Sequence, residues 1–234
     1  MKKNDLEYFE YDTEKYNFVD LLKGLFKTDD LRKLHEKINS LEYLSIFTNN
    51  NDDQTIFHKK FYERLNSEWI EFSSTYSTFI REVVSEKLNE KEFIYQRSPT
   101  FRVQLPNNIA VGGQEGKEYE EKYGWHKDSD PEYNHPPGEK NFIIPLTYAR
   151  DTASVFIETY PESNKFSSAK MNVGEFFRFN GSECIHGNKK NITNFTRVSL
   201  DFRVILLKDY NEEYAKQSKL STKKFRIGEY YEKI

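Results

Sequence analysis

The amino-acid sequence predicts an α+β fold with its helices collected at the front. Apolar residues recur every three or four positions through residues 18–88, the period changes to that of strands from Phe93, and turn signals then follow at short intervals as far as Leu207. Phe and Tyr supply most of an aromatic content of 16%, which suits a β-rich core. No repeat, low-complexity tract or linker divides the 234 residues, so a single domain is expected: 1–92 mainly helical, 93–207 the strand-built core, and 208–234 a polar, lysine-rich tail.

Residues 1–17 lack a clear period and read as an arm. Phe18-Val19, Leu21-Leu22 and Leu25-Phe26 form a helical stripe, and Thr28-Asp29-Asp30 supplies the cap and acidic first turn of a helix carrying Leu31, Leu34 and Ile38. Leu41 to Phe47 reads as a short strand or a turn of helix, and Asn49 to Asp53 as a loop. Phe57, Phe61, Leu65, Trp69, Phe72, Tyr76, Phe79, Val83 and Leu88 then mark one long helix packed on a sheet. His35 and His58 fall in these helices without a partner at ligand spacing and are assigned to structure or solvent.

Strands are predicted at Phe93–Gln96, Thr100–Leu105 and Ile109–Gly112, with a charged surface loop over 113–122. A strand bearing Trp125 and His126 comes next, and the Pro-rich stretch 129–140 reads as an irregular lid loop. Further strands are expected at Asn141–Thr147, Ala153–Thr159, Lys165–Met171, Glu175–Phe179, Glu183–His186 and Thr196–Leu207, with Asn180-Gly181 as a hairpin turn before His186. The tail has helix potential near Glu212–Lys219. Many short antiparallel strands behind a set of helices favour a jelly-roll sandwich.

Composition narrows the function classes. A net charge of −3, with lysines interleaved among glutamates, offers no basic field for nucleic acid. One cysteine, Cys184, leaves no internal disulfide and no Cys-based zinc framework, and reads as a core thiol. The N-terminus has no apolar run behind its lysines, and no stretch approaches the roughly 18 uncharged apolar residues of a membrane span, so a cytoplasmic protein is expected.

Chemistry concentrates in a few positions. His126 and Asp128 stand at i and i+2, so an extended strand projects both from one face. One metal ion could hold them, and His186 from a distant strand would complete two imidazoles and a carboxylate, a set that leaves positions open on iron(II). Zinc hydrolysis is the competing use of such a triad. Arg197 and Ser199 share a strand face and can grip a carboxylate, which a water-activating hydrolase does not need. By strand parity and position, Arg102, Gln104, Asn141, Asn188 and Arg203 could line the pocket; His135, on the lid loop, reads as a solvent-exposed histidine, with substrate contact as the alternative.

The order His126-x-Asp128, His186, Arg197-x-Ser199 resembles that of the iron(II)/2-oxoglutarate-dependent oxygenases. The segments beginning Phe101-Arg102-Val103, Asn141-Phe142-Ile143, His186-Gly187-Asn188 and Thr196-Arg197-Val198 are similar to the streptomycin-biosynthesis-type bacterial branch, over roughly residues 95–207. The resemblance implies a double-stranded β-helix. It implies iron held by His126, Asp128 and His186, 2-oxoglutarate anchored by Arg197 and Ser199, and dioxygen as the oxidant. It also implies hydroxylation of a small polar or anionic metabolite, of sugar, cyclitol or amino-acid type, with release of succinate and CO2. Related halogenases carry a small residue at the position of Asp128, so its carboxylate favours hydroxylation. The rivals are a cupin-type metal-dependent isomerase or epimerase, for which Asp128 replaces the usual second histidine of a His-x-His pair, and a non-catalytic ligand-binding β-sandwich. The substrate's identity and the oligomeric state are not encoded in these motifs.

Overall fold

The computed structural model describes residues 6–41, 55–109, 125–214 and 224–234. The predicted elements at 41–47, 49–53 and 109–112, the loop over 113–122 and most of the tail helix lie wholly or partly outside them.

Helix α1 (Phe18–Phe26) buries Phe18, Leu21, Leu22 and Phe26 and ends where Lys27 takes a left-handed conformation, with φ 52°. The next predicted helix is a 3-10 turn, Leu31–Lys37, whose Asp30 cap accepts from the Arg32 N–H and which still buries Leu31 and Leu34. The single long helix expected over 57–88 is broken. Helix α2 (Ile56–Asn66) stops before Glu68, which has a φ of 58°, and α3 (Ile70–Phe79) runs through a π turn (Ile80–Val84) into α4 (Ser85–Leu88). The break turns Trp69 inward, where it stacks on Phe72 at 4.9 Å; hydrophobic period alone does not reveal such a backbone reversal. His58 is buried and bonded to the capping Thr55 (2.7 Å), and His35 lies 2.9 Å from the Thr196 hydroxyl, so both are structural.

Strands β1 (Glu7–Glu10), β2 (Phe93–Gln96), β3 (Thr100–Gln104), β4 (Lys140–Pro145), β7 (Glu175–Phe179), β9 (Arg197–Leu206) and β10 (Tyr231–Lys233) build a seven-stranded sheet ordered β1-β7-β4-β9-β2-β10, with β3 also on β9. Strands β5 (Val155–Glu158), β6 (Phe166–Ser168) and β8 (His186–Asn188) form a second sheet ordered β6-β5-β8. All named pairings are antiparallel. Two sequence readings change here. The N-terminal arm contains β1, which pairs Glu7 with Arg178 and Phe9 with Phe176, and the tail contains β10, which pairs with β2. Both are too short and too charged for a periodicity signal; their partners decide them.

Alternation along the strands divides the molecule. Val198, Leu200, Phe202 and Val204 of β9, Phe101 and Val103 of β3, and Phe142 and Ile144 of β4 pack in one core with α1 to α3. Their neighbours Arg197, Ser199, Asp201, Arg203, Arg102, Gln104 and Asn141 therefore leave the opposite face. A second core, including Ile143, Val155, Ile157, Phe177, Phe179 and Cys184, joins the large sheet to the small one. Among the described residues no helix is long and apolar enough to cross a membrane.

Phe79 is fully buried and meets Tyr11, Tyr16, Phe18, Phe176 and Phe202 in edge contacts, tying α3 to α1 and the sheet. Phe79→Ala is expected to lower the stability read from urea unfolding by about 3–5 kcal/mol. An unchanged midpoint would place this ring outside the shared core.

Candidate metal centre

His126 and His186 sit opposite one another in an isolated antiparallel bridge, each N–H donating to the other's carbonyl at 3.0 and 2.9 Å. Opposed residues project to the same side, and the two imidazole centroids lie 4.7 Å apart. Two residues on, the Asp128 N–H donates to the Gly181 carbonyl at 2.9 Å and the side chain returns to the same point. Asp128 Oδ1 is 3.5 Å from His126 Nε2 and 3.6 Å from His186 Nε2. The predicted strand around His126 is thus reduced to this one bridge.

The carboxylate is held asymmetrically. Oδ2 accepts from Asn141 Nδ2 at 2.6 Å and from Arg203 Nε at 2.8 Å, whereas Oδ1 is buried without a hydrogen-bond donor. A bare buried anionic oxygen is costly unless a cation or proton meets it. Two imidazole nitrogens converge on that oxygen, and the three residues form a group able to hold a metal ion. The protonation states agree with this. Burial opposes ionisation of Asp128, but the Arg203 charge beside it outweighs this and holds the carboxyl well below its ordinary range. Burial pushes His186 down to about 4, which keeps it neutral near pH 7. His186 Nδ1 lies 3.1 Å from the Cys184 carbonyl, and donation there leaves the Nε2 lone pair facing Asp128.

Glycines allow the close approaches. A Cβ at Gly187 would overlap the Trp125 ring, which lies against the small sheet while its Nε1 donates to the Asn188 carbonyl at 2.9 Å. A Cβ at Gly181 would fall 2.6 Å from Asn141 Cγ, and the Gly181 N–H donates to Asn141 Oδ1 at 3.0 Å. Asn180-Gly181 is therefore not the expected hairpin. Strands β7 and β8 belong to different sheets, neither residue has a positive φ, and the turn closes by Cys184 N–H to the Asn180 carbonyl at 3.0 Å. Gly181 is required by packing rather than by turn conformation.

Beyond the histidines the same cavity is lined by Arg197, Arg102 and Asp201. Arg197 is buried and donates Nη2 to Ser199 Oγ at 3.2 Å; Ser199 in turn donates to Asp201 Oδ1 at 2.9 Å. Arg102 Nε reaches Asp201 Oδ2 at 3.2 Å. Asn141, Asn188 and Arg203 also line the cavity, but Asn141 and Arg203 are engaged with Asp128 and Asn188 Nδ2 is spent on the Ser154 carbonyl at 2.9 Å. Gln104 is not in the lining; it is fully buried and donates to the Lys189 carbonyl at 2.8 Å. Nor is His135, whose Nδ1 lies 2.8 Å from Glu139 Oε2 and whose ring packs 4.4 Å from Phe225, so the loop is anchored at this point and its histidine is not a solvent group. From the same loop, Tyr133 stacks on His126 at 3.8 Å. Asp201 and Glu139 were not anticipated. Asp201 has the parity of Arg197 and Ser199, a sufficient signal; Glu139, in an irregular stretch, has none.

No family model matches the chain. It is 29% identical over 225 residues to the streptomycin biosynthesis protein StrG of Streptomyces griseus, a span covering 96% of each chain. Among solved structures it resembles EctD from S. alaskensis in its apoform, with a TM-score of 0.51 and 10% identity, covering 90% of this chain and 76% of that one. The same protein with bound Fe gives a TM-score of 0.50 and 13% identity, covering 89% and 75%. The likeness to EctD is one of fold.

Because any side chain at Gly187 must displace Trp125, and with it His126, Gly187→Ala is expected to weaken Co(II) binding at least 10-fold and to cost about 1–3 kcal/mol in urea unfolding. Titration calorimetry at parental affinity would show that the Trp125 contact does not hold the ligand segment in place.

Proposed function

We propose that the chain is an iron(II)- and 2-oxoglutarate-dependent oxygenase that hydroxylates a small polar metabolite, built as one domain on a double-stranded β-helix. The observation that carries the proposal is the bare, buried Oδ1 of Asp128 between His126 and His186, two histidines that line one cavity with the buried Arg197. A StrG relative and the fold shared with an iron-bound EctD structure support it.

Two imidazoles and one carboxylate oxygen suit ferrous iron, which when bound couples oxidative decarboxylation of 2-oxoglutarate to oxidation of a nearby C–H bond. The protein's share is to hold and orient. His126, Asp128 and His186 would bind the metal; Asn141 and Arg203 keep the carboxylate turned so that one oxygen faces it. Arg197 supplies a charged planar fork, and Ser199 a hydroxyl beside it, for the far carboxylate of 2-oxoglutarate. A hydrolytic zinc site has no use for that fork. Arg102 and Asp201, each about a fifth exposed (19% and 21%), offer both charges to a polar substrate.

Purified protein supplied with iron(II), ascorbate and oxygen is expected to convert 2-oxoglutarate to succinate, slowly and uncoupled when no substrate is present. Arg197→Ala should retain metal binding but raise KM for 2-oxoglutarate by about 30-fold or more, as expected for loss of one partner of a buried charge pair. His126→Ala is the cleaner metal-site variant, since removing Asp128 takes from Arg203 its nearest ion-pair partner and itself costs about 3–5 kcal/mol. Metal binding without oxygen consumption or succinate would overturn the reading, and an isomerase would leave oxygen untouched.

A further inference from the structure

We propose that Glu139 is a positioning residue for the metal-binding carboxylate, and that through it strand β10 sets the orientation of Asp128. The inference rests on the metal-centre reading above and extends it to residues that do not touch the ligand atoms.

Behind Asp128 lies a second convergence of polar side chains. Asp128, His135 and Glu139 bring donor atoms within 4.8 Å of one another, a spacing that could suit another cation. That place is already held by a cation. Arg203 Nε is 2.8 Å from Asp128 Oδ2 and 3.6 Å from Glu139 Oε2, and both carboxylate side chains are 0% exposed. The arrangement is therefore carboxylate, guanidinium, carboxylate, with both carboxylates closed off from water.

The second carboxylate has a consequence for the first. An arginine facing one carboxylate tends to make two parallel bonds, one to each oxygen. Such a grip on Asp128 would occupy Oδ1, the oxygen that must stay bare for a metal. Arg203 gives Asp128 a single bond, from Nε to Oδ2, and turns Nη1 to the Tyr230 hydroxyl at 3.3 Å. Glu139 draws the guanidinium back from Asp128 and shares its charge. Glu139 is fixed in turn by the fully buried Tyr231 of β10, whose hydroxyl donates to Oε1, and by His135 at 2.8 Å from Oε2. Tyr231, Glu139, Arg203 and Asp128 thus form one chain of contacts from the edge strand of the large sheet to the centre.

The test uses Co(II) as probe, since its visible bands report ligand geometry independently of turnover. Glu139→Gln keeps the shape and removes the charge. It is expected to weaken Co(II) binding by about 10- to 100-fold, the usual effect of losing a group that orients a ligand, and to alter the visible spectrum while circular dichroism stays parental. Tyr231→Phe, which deletes one oxygen, is expected to act in the same direction at smaller amplitude and carries the test if Glu139→Gln does not fold. Tyr76→Phe is the control: it removes an equally buried hydroxyl, bonded to the Gln96 carbonyl at 2.8 Å, away from the centre, and should lower stability with affinity and spectrum unchanged. The proposal is overturned if folded Glu139→Gln, or Tyr231→Phe in its place, binds Co(II) with parental affinity and spectrum, or if Tyr76→Phe weakens binding as much. Those results leave the metal centre standing, whereas a parent that binds no Co(II) overturns both.

Discussion

The asymmetry of one carboxylate organises this molecule. Asp128 has two chemically equal oxygens, and the fold makes them different by giving two donors to Oδ2 and none to Oδ1. The donors come from neighbouring strands of the large sheet: Asn141 and Arg203 are direct partners in the β4–β9 ladder. The carboxylate itself is brought in by the His126–His186 bridge and by the Asp128 bond to Gly181, both outside that sheet. The centre therefore exists only where the two sheets meet, and each part of it is held by backbone pairing elsewhere. In a low-dielectric interior a bare carboxylate oxygen is costly, and one on which two imidazole nitrogens converge marks a place suited to a cation.

Strand β9 carries the division between structure and chemistry in its alternation. Its even-numbered residues, Val198 to Val204, pack against helices; its odd-numbered ones are Arg197, Ser199, Asp201 and Arg203. Burying both faces of one strand normally calls for apolar residues throughout. Here the odd face is tolerable because each polar side chain finds a partner on the strand beside it, two residues along, or in the segment that packs over it: Asp201 with Arg102, Ser199 with Asp201, Arg197 with Ser199 and Arg203 with Asp128. The helical layer, dense in rings stacked at right angles such as Phe61–Phe72 and Phe79–Phe202, gives the even face a stiff support.

Much of this was legible in the sequence, and the reasons follow the physics of each signal. Parity along 197–203 places the polar face because a strand's period is two and the segment is long. His126 and Asp128 fall together for the same reason, although only one bridge of strand forms there. What escaped were features decided by a distant partner: β1 and β10 are strands because β7 and β2 present edges to them. The Asn180-Gly181 pair misled because a glycine can be demanded by a neighbour's side chain as well as by φ, and the sequence does not say which. Gln104 shares a face with Arg102 yet lies among backbone carbonyls, since parity gives a side and not a depth. His135 and Glu139 sit in an irregular loop, where no period exists to place them.

The positions of Arg197 and Arg203 on one strand explain why both are arginines. Their Cα atoms are six residues apart, roughly 20 Å along an extended strand, yet both side chains line the same cavity. A residue of shorter reach at either position would leave its charge near the strand, and a lysine would reach without offering a planar fork. At one end the guanidinium is fully committed, held between Asp128 and Glu139, and its task is to orient. At the other, Arg197 faces the cavity beside the Ser199 hydroxyl of its own strand. The two ends of one strand thus place a fixed internal charge behind the His126, Asp128 and His186 group and a charge able to meet an anion in front of it. The triad alone serves hydrolysis and oxidation equally; this second charge, set at the far end of the cavity, favours a reaction with an acidic co-substrate.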